Sequence, residues 1–111
     1  MIISEELLNE VLNYDVKLSN IKIDGSSVIF NVGDRLIMSS INIYEVIHRC
    51  KKWVVSKGGE ITSGYIEDDE PGWYCYASLD PHPYMETGIT KTENTELEAV
   101  FKAAQWILEN K

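Results

Sequence analysis

Ile41-Asn42-Ile43-Tyr44-Glu45-Val46-Ile47-His48-Arg49-Cys50-Lys51-Lys52-Trp53-Val54-Val55-Ser56-Lys57-Gly58-Gly59 reads as a complete amphipathic helix, and the remaining elements arrange themselves around it. Asn42 is suited to cap its N-terminus, with Glu45 three residues on as the second half of a capping box. Ile41 and Val46 are spaced for a hydrophobic staple across that cap. Ile43, Val46, Ile47, Cys50, Trp53 and Val54 recur at helical intervals, so they define the buried face of a helix over Ile43 to Lys57. Gly58-Gly59 supplies the stop.

Towards the N-terminus, Ser4 is a cap, and Leu7, Leu8, Val11 and Leu12 form the apolar stripe of a short helix. Val16 to Ile23 alternates imperfectly, Asp24-Gly25 is a strong turn pair, and Val28 to Val32 reads as the return strand. Gly33-Asp34 turns the chain again into a short strand, Leu36-Ile37-Met38. Towards the C-terminus, Glu60 to Ile66 and Trp73 to Ala77 form a second hairpin across the acidic Glu67-Asp68-Asp69-Glu70-Pro71-Gly72 turn. Asp80-Pro81-His82-Pro83 breaks that strand, and Tyr84 to Thr90 offers one more short strand. Thr95 and Glu98 form another capping box ahead of a helix with Leu97, Val100, Phe101, Ala104, Ile107 and Leu108 inward and Trp106 off the stripe. The expected fold is α+β in the order α-βββ-α-ββ(β)-α: one antiparallel sheet of five or six short strands covered by three amphipathic helices.

With 111 residues, 44% hydrophobic and 25% charged, the chain has the make-up of one ordinary soluble domain rather than a disordered or disulfide-built one. A domain of this size buries roughly 65% of its unfolded surface, enough for a core without metal or crosslinks. No apolar run approaches the ~20 residues that span a bilayer, and Met1 to Glu6 lacks the features of a signal peptide. Cys50 and Cys75 stand 25 positions apart with no zinc-type spacing, and read as two reduced, packed thiols. These features point to a cytoplasmic protein.

The formal charge of -8 is unevenly spread. Met1 to Gly59 is balanced. Glu60, Glu67, Asp68, Asp69, Glu70, Asp80, Glu86, Glu93, Glu96 and Glu98 then face only Lys91 over the stretch to Glu98. Such a field repels nucleic-acid phosphates and attracts a basic protein surface. The surplus carboxylates are expected to gather on one exposed patch. Period two puts Tyr74 and Tyr76 on the opposite face from Trp73 and Cys75, where tyrosines serve either as packing or as binding anchors.

The familiar catalytic patterns are missing: no phosphate-binding glycine loop, no nucleophile elbow and no His-Glu-x-x-His. His48 reads as exposed beside Arg49 and Lys52. Asp80, His82 and Glu86 could offer ligands to a divalent metal, but Asp-x-His is a weak signal, and no metal or cofactor is expected.

From the central helix, Ile43 to Lys57, through Gly72-Trp73-Tyr74-Cys75-Tyr76 to Thr95-Glu96-Leu97-Glu98-Ala99-Val100-Phe101-Lys102-Ala103-Ala104, the chain resembles small phage and prophage proteins of the phage α-β-α sandwich and NinX-like type. Those chains end in a similar Thr-x-x-Glu-Ala segment that enters a helix with an alanine pair. The likeness covers about residues 42 to 110, and the long acidic turn and the Asp-Pro-His-Pro segment depart from it. It implies a phage-encoded accessory protein acting in the host bacterial cytoplasm, and it supplies no catalytic residues.

The expected function is therefore non-enzymatic: binding and modulating a host or defence protein through Glu67, Asp68, Asp69, Glu70, Tyr74 and Tyr76, with a basic partner surface, no nucleic acid and no membrane. Homo-oligomerisation and a purely structural or interaction role stay open. The alternative is a nucleotide-signal binder in which Trp73, Tyr74 or Trp53 stacks on a base and Arg35 or Lys91 meets phosphate.

Overall fold

Helix α1 (Glu5–Leu12) starts where Ser4 Oγ accepts the Leu7 N–H at 3.2 Å and stops where Asn13 turns into the left-handed region, φ 51°. In this computed structural model, residues 3–34, 37–67, 70–79, 87–89 and 93–110 are described. The whole expected stripe, Leu7, Leu8, Val11 and Leu12, is buried.

Strands β1 (Leu18–Asp24), β2 (Ser27–Val32) and β3 (Ile37–Asn42) form an antiparallel sheet in that order. The imperfect alternation of β1 has a cause: its register slips between Ser19 and Lys22, where Asn20 takes φ 51°. An extra residue there flips the side chains that follow. Val28 and Phe30 on β2 face the core. Strand β3 runs past the expected Met38 to Asn42, because Ser39, Ser40 and Ile41 pair with Phe30, Ile29 and Val28.

Helix α2 (Ile43–Ser56) follows without a loop. Asn42 Oδ1 accepts the Tyr44 N–H at 2.8 Å, as the cap requires. Glu45 does not complete the box: its carboxylate binds Arg49 one turn on, at 3.0 Å. The two glycines at the far end have different jobs. Gly58 takes φ +84°, whereas at Gly59 a Cβ would lie 2.5 Å from the Ser78 carbonyl oxygen.

Strands β4 (Gly59–Ile66), β5 (Gly72–Leu79) and β6 (Thr87–Ile89) form a second antiparallel sheet, with β5 in the middle. Glu93 extends that pairing by exchanging two backbone bonds with Trp73. Helix α3 (Glu96–Asn110) closes the fold, with the Glu98 N–H donating to Thr95 Oγ1 at 3.2 Å.

The expected single sheet is thus two sheets of three strands. Helix α2 lies between β3 and β4 in the chain, and the two strands belong to different sheets. What joins the sheets is one core. Phe30, Leu8, Leu18, Val46, Cys50, Val54, Cys75, Ala77, Val100 and Ile107 belong to the same buried cluster.

Candidate functional site

Lys51 Nζ donates to Ser63 Oγ at 2.7 Å, and Ser63 Oγ donates to Glu96 Oε2 at 2.8 Å. Ser63 pairs with Cys75, so this chain of bonds draws α2 and α3 onto the same face of the second sheet. That decides which side of β5 is inside. Cys75 and Ala77 are fully buried, and both tyrosines are on the other side. No helix packs on that outer face among the described residues.

The outer face presents Tyr74 and Tyr76 from β5 beside Gly64 and Thr62 from β4, with Glu60 opposite Ser78 at one end. Tyr74 and Tyr76 are half-buried, and Glu60 is exposed. Gly64 matters here: a Cβ would lie 2.8 Å from Tyr74 Cε1, so the bare glycine lets the tyrosine ring lie across β4. Trp73 points the other way and meets the Tyr65 ring edge-on, with centroids 5.4 Å apart.

Glu67 and Glu70 are exposed beside the tip of the β4–β5 hairpin, and Asp68 and Asp69 lie outside the described residues. Among the described residues, the carboxylates do not gather on the expected single acidic patch. Glu60 and Glu67 stand at opposite ends of β4, about 24 Å apart and well beyond a Debye length. Glu93 binds Lys102 at 2.6 Å, and Glu96 is tied through Ser63 to Lys51. Pairing across the fold, invisible along the chain, has split the surplus.

Cys50 and Cys75 are buried and form no disulfide, in keeping with the packed thiols that their spacing suggested. Burial pushes the Cys50 thiol up to about 12, with the nearby Cys75 adding to the shift. Burial likewise raises Cys75 to about 11; Lys51 opposes that shift and Glu96 adds to it. Neither is a reactive thiolate near neutral pH.

His48 is exposed and lines a polar groove of about 670 Å³ with Arg49, Lys52 and Lys57, as well as the acidic Glu10 and Glu45. The nucleotide platform is not assembled there. Trp53 is only 7% exposed, with Lys57 Nζ 5.9 Å over its ring, and so presents no open face to a base. Arg35, Asp80, His82, Tyr84, Glu86 and Lys91 lie outside the described residues, and among the described ones no metal-holding cluster of His, Cys, Asp and Glu occurs.

Sequence reasoning missed the Lys51–Ser63–Glu96 connection, since nothing local pairs residues so far apart. Replacing Ser63 by Ala should cost about 1–3 kcal/mol in urea unfolding, by leaving a partly buried lysine and glutamate without their shared hydroxyl. An unchanged midpoint would show that water replaces it.

No helix among the described residues is long and apolar enough to cross a membrane. A scan against protein-family models finds no match to this chain, and neither the curated proteins nor the solved structures contain one.

Proposed function

We propose that this chain is a non-enzymatic accessory protein, encoded by a phage or prophage, that binds and modulates a host or defence protein through the outer face of its second sheet. The observation that carries the reading is the pairing of the half-buried Tyr74 and Tyr76 on a face that no helix covers among the described residues, in a sheet whose strands contain no Lys or Arg. Tyrosine is a favoured anchor residue at interfaces because it buries a large ring while keeping a hydroxyl to bond. Glu60 at one end and Glu67 and Glu70 at the other would steer a basic partner onto the tyrosines from both sides. Phage origin and the bacterial cytoplasm rest on the likeness of residues 42–110 described above.

The test is capture from a bacterial lysate by the wild-type chain, by Tyr74→Ser/Tyr76→Ser, and by a variant with Glu67, Asp68, Asp69 and Glu70 neutralised. The tyrosine variant is expected to lose a basic partner, with each ring contributing on the order of 2 kcal/mol or ~30-fold in Kd. The neutralised variant should bind more slowly and respond less to salt. A third variant, Gly64→Ala, lifts the Tyr74 ring with little effect on stability, because only the far end of a side chain must move. Partner lists that are the same for all of these proteins would refute the reading.

A further inference from the structure

The first sheet has two edges, and they are treated differently. At the β1 edge, Asn9 reaches down from α1: its Oδ1 accepts the Leu18 N–H at 2.8 Å, and its Nδ2 donates to the Leu18 carbonyl at 3.1 Å. The bulge at Asn20 and the charges of Lys22 and Asp24 follow along the same strand. Side-chain caps, bulges and charges are the devices by which proteins block an open edge. Strand β3 has none of them. Ile37-Met38-Ser39-Ser40-Ile41-Asn42 carries no charge, no proline and no bulge, and among the described residues no strand pairs with its far side.

Which groups that edge offers follows from the ladder. The Ile43 N–H donates to the Ser26 carbonyl at 2.9 Å, in the register that sets Asn42 opposite Ser27. In an antiparallel ladder, bonded and non-bonded pairs alternate, so Ile41, Ser39 and Ile37 bond to β2. Met38, Ser40 and Asn42 therefore aim their N–H and C=O groups outward. The same reasoning holds at the other edge. The Gly33 N–H donates to the Lys17 carbonyl, which turns Leu18 outward, and outward is where Asn9 meets it.

Exposed apolar groups gather on this sheet and its flanks. Of the described large hydrophobic side chains that are exposed, Tyr14, Val16, Ile23, Ile37, Met38 and Tyr44 are here, and Val55 and Tyr65 are elsewhere. Met38 is 72% exposed, and Tyr44, just past the end of β3, is 67% exposed.

We propose that two copies of this chain associate through β3, edge to edge and antiparallel, to form one continuous six-stranded sheet. The strand is self-complementary. With Ser39 opposite the second copy's Ser39 on the two-fold axis, Met38 and Ser40 form the bonded pairs. Ile37 then faces the second copy's Ile41 in the non-bonded pairs, where side chains come closest. Charge permits the contact: β3 belongs to the balanced half of the chain, and the acidic surplus starts only at Glu60. Five paired residues from each copy and a few side chains fall below the ~1,200 Å² of a standard interface, so the dimer is of the weak, concentration-dependent class. It uses a different sheet from the tyrosine face and does not depend on that reading.

The test is sedimentation equilibrium of the full chain from about 5 μM to about 1 mM. The mass of the wild type is expected to rise from 12.7 kDa towards twice that value. Ser40→Pro removes only an outward N–H and should stay monomeric with an unchanged circular dichroism spectrum. Should that variant fail to fold, Met38→Lys places a charge on the same edge and should also stay monomeric. Ser39→Cys should form an intermolecular disulfide on mild oxidation, while Ser40→Cys should not, since Cys50 and Cys75 are buried. A wild type that is monomeric throughout, or a dimer that survives both edge variants, would overturn the proposal.

Discussion

Raising the pH from 8 to 10 should remove on the order of 3 kcal/mol of stability through Cys50 and Cys75 alone. The ordinary thiol value is 9.0, and burial lifts the two groups to about 12 and about 11 in the folded protein. Their stabilising contribution is therefore fully present below pH 9. Above it the unfolded chain sheds two protons that the folded chain keeps, so the balance tilts towards unfolding as pH rises towards the folded values. Each thiol then loses roughly 1.4 kcal/mol per pH unit. Urea titrations between pH 8 and 10.5 under reducing conditions measure this. The Cys50→Ala/Cys75→Ala variant is expected to show a much shallower slope, whatever its absolute stability, and the contributions of lysines and tyrosines cancel in the comparison. Equal slopes would mean that the thiols reach solvent in the folded protein.

Phe30→Ala is expected to destabilise the protein by about 3–5 kcal/mol, a large part of the total for a domain of this size. Phe30 is 1% exposed in the central strand of the first sheet, with the Tyr14 ring 6.3 Å away. The informative point is where the loss is seen. Trp53, Trp73 and Trp106 are all in α2, β5 and α3, and none is in the first sheet. Because the two sheets share one core through α2, tryptophan fluorescence should fall together with far-UV circular dichroism in a single transition. The urea midpoint should drop by about 2 M. A dichroism change that leaves tryptophan emission untouched would show that the first sheet melts by itself.

The tyrosine face shows how a site can be half legible. Period two alone placed Tyr74 and Tyr76 together and opposite Cys75. Only the Ser63 contacts to Lys51 and Glu96 show which side the helices take. The acidic surplus was countable along the chain, but its separation into groups depends on the length of β4 and on lysines brought in from α2 and α3. Asn9 is the clearest omission. It lies among the polar residues of a short helix, and its use appears only when Leu18 is laid against it.

By itself, the sequence determined the three helices, their caps and their buried stripes, along with the turns that define the hairpins. Those features arise from contacts three or four residues apart, which chain order already specifies. Tertiary structure decided that the strands form two sheets, that β3 extends to Asn42 with no described strand on its outer edge, and that the tyrosines lie on the face opposite the helices. A strand's partner is remote in sequence and is selected by register and by the helix that covers it, so neither its edge nor its exposed face can be read from its own residues.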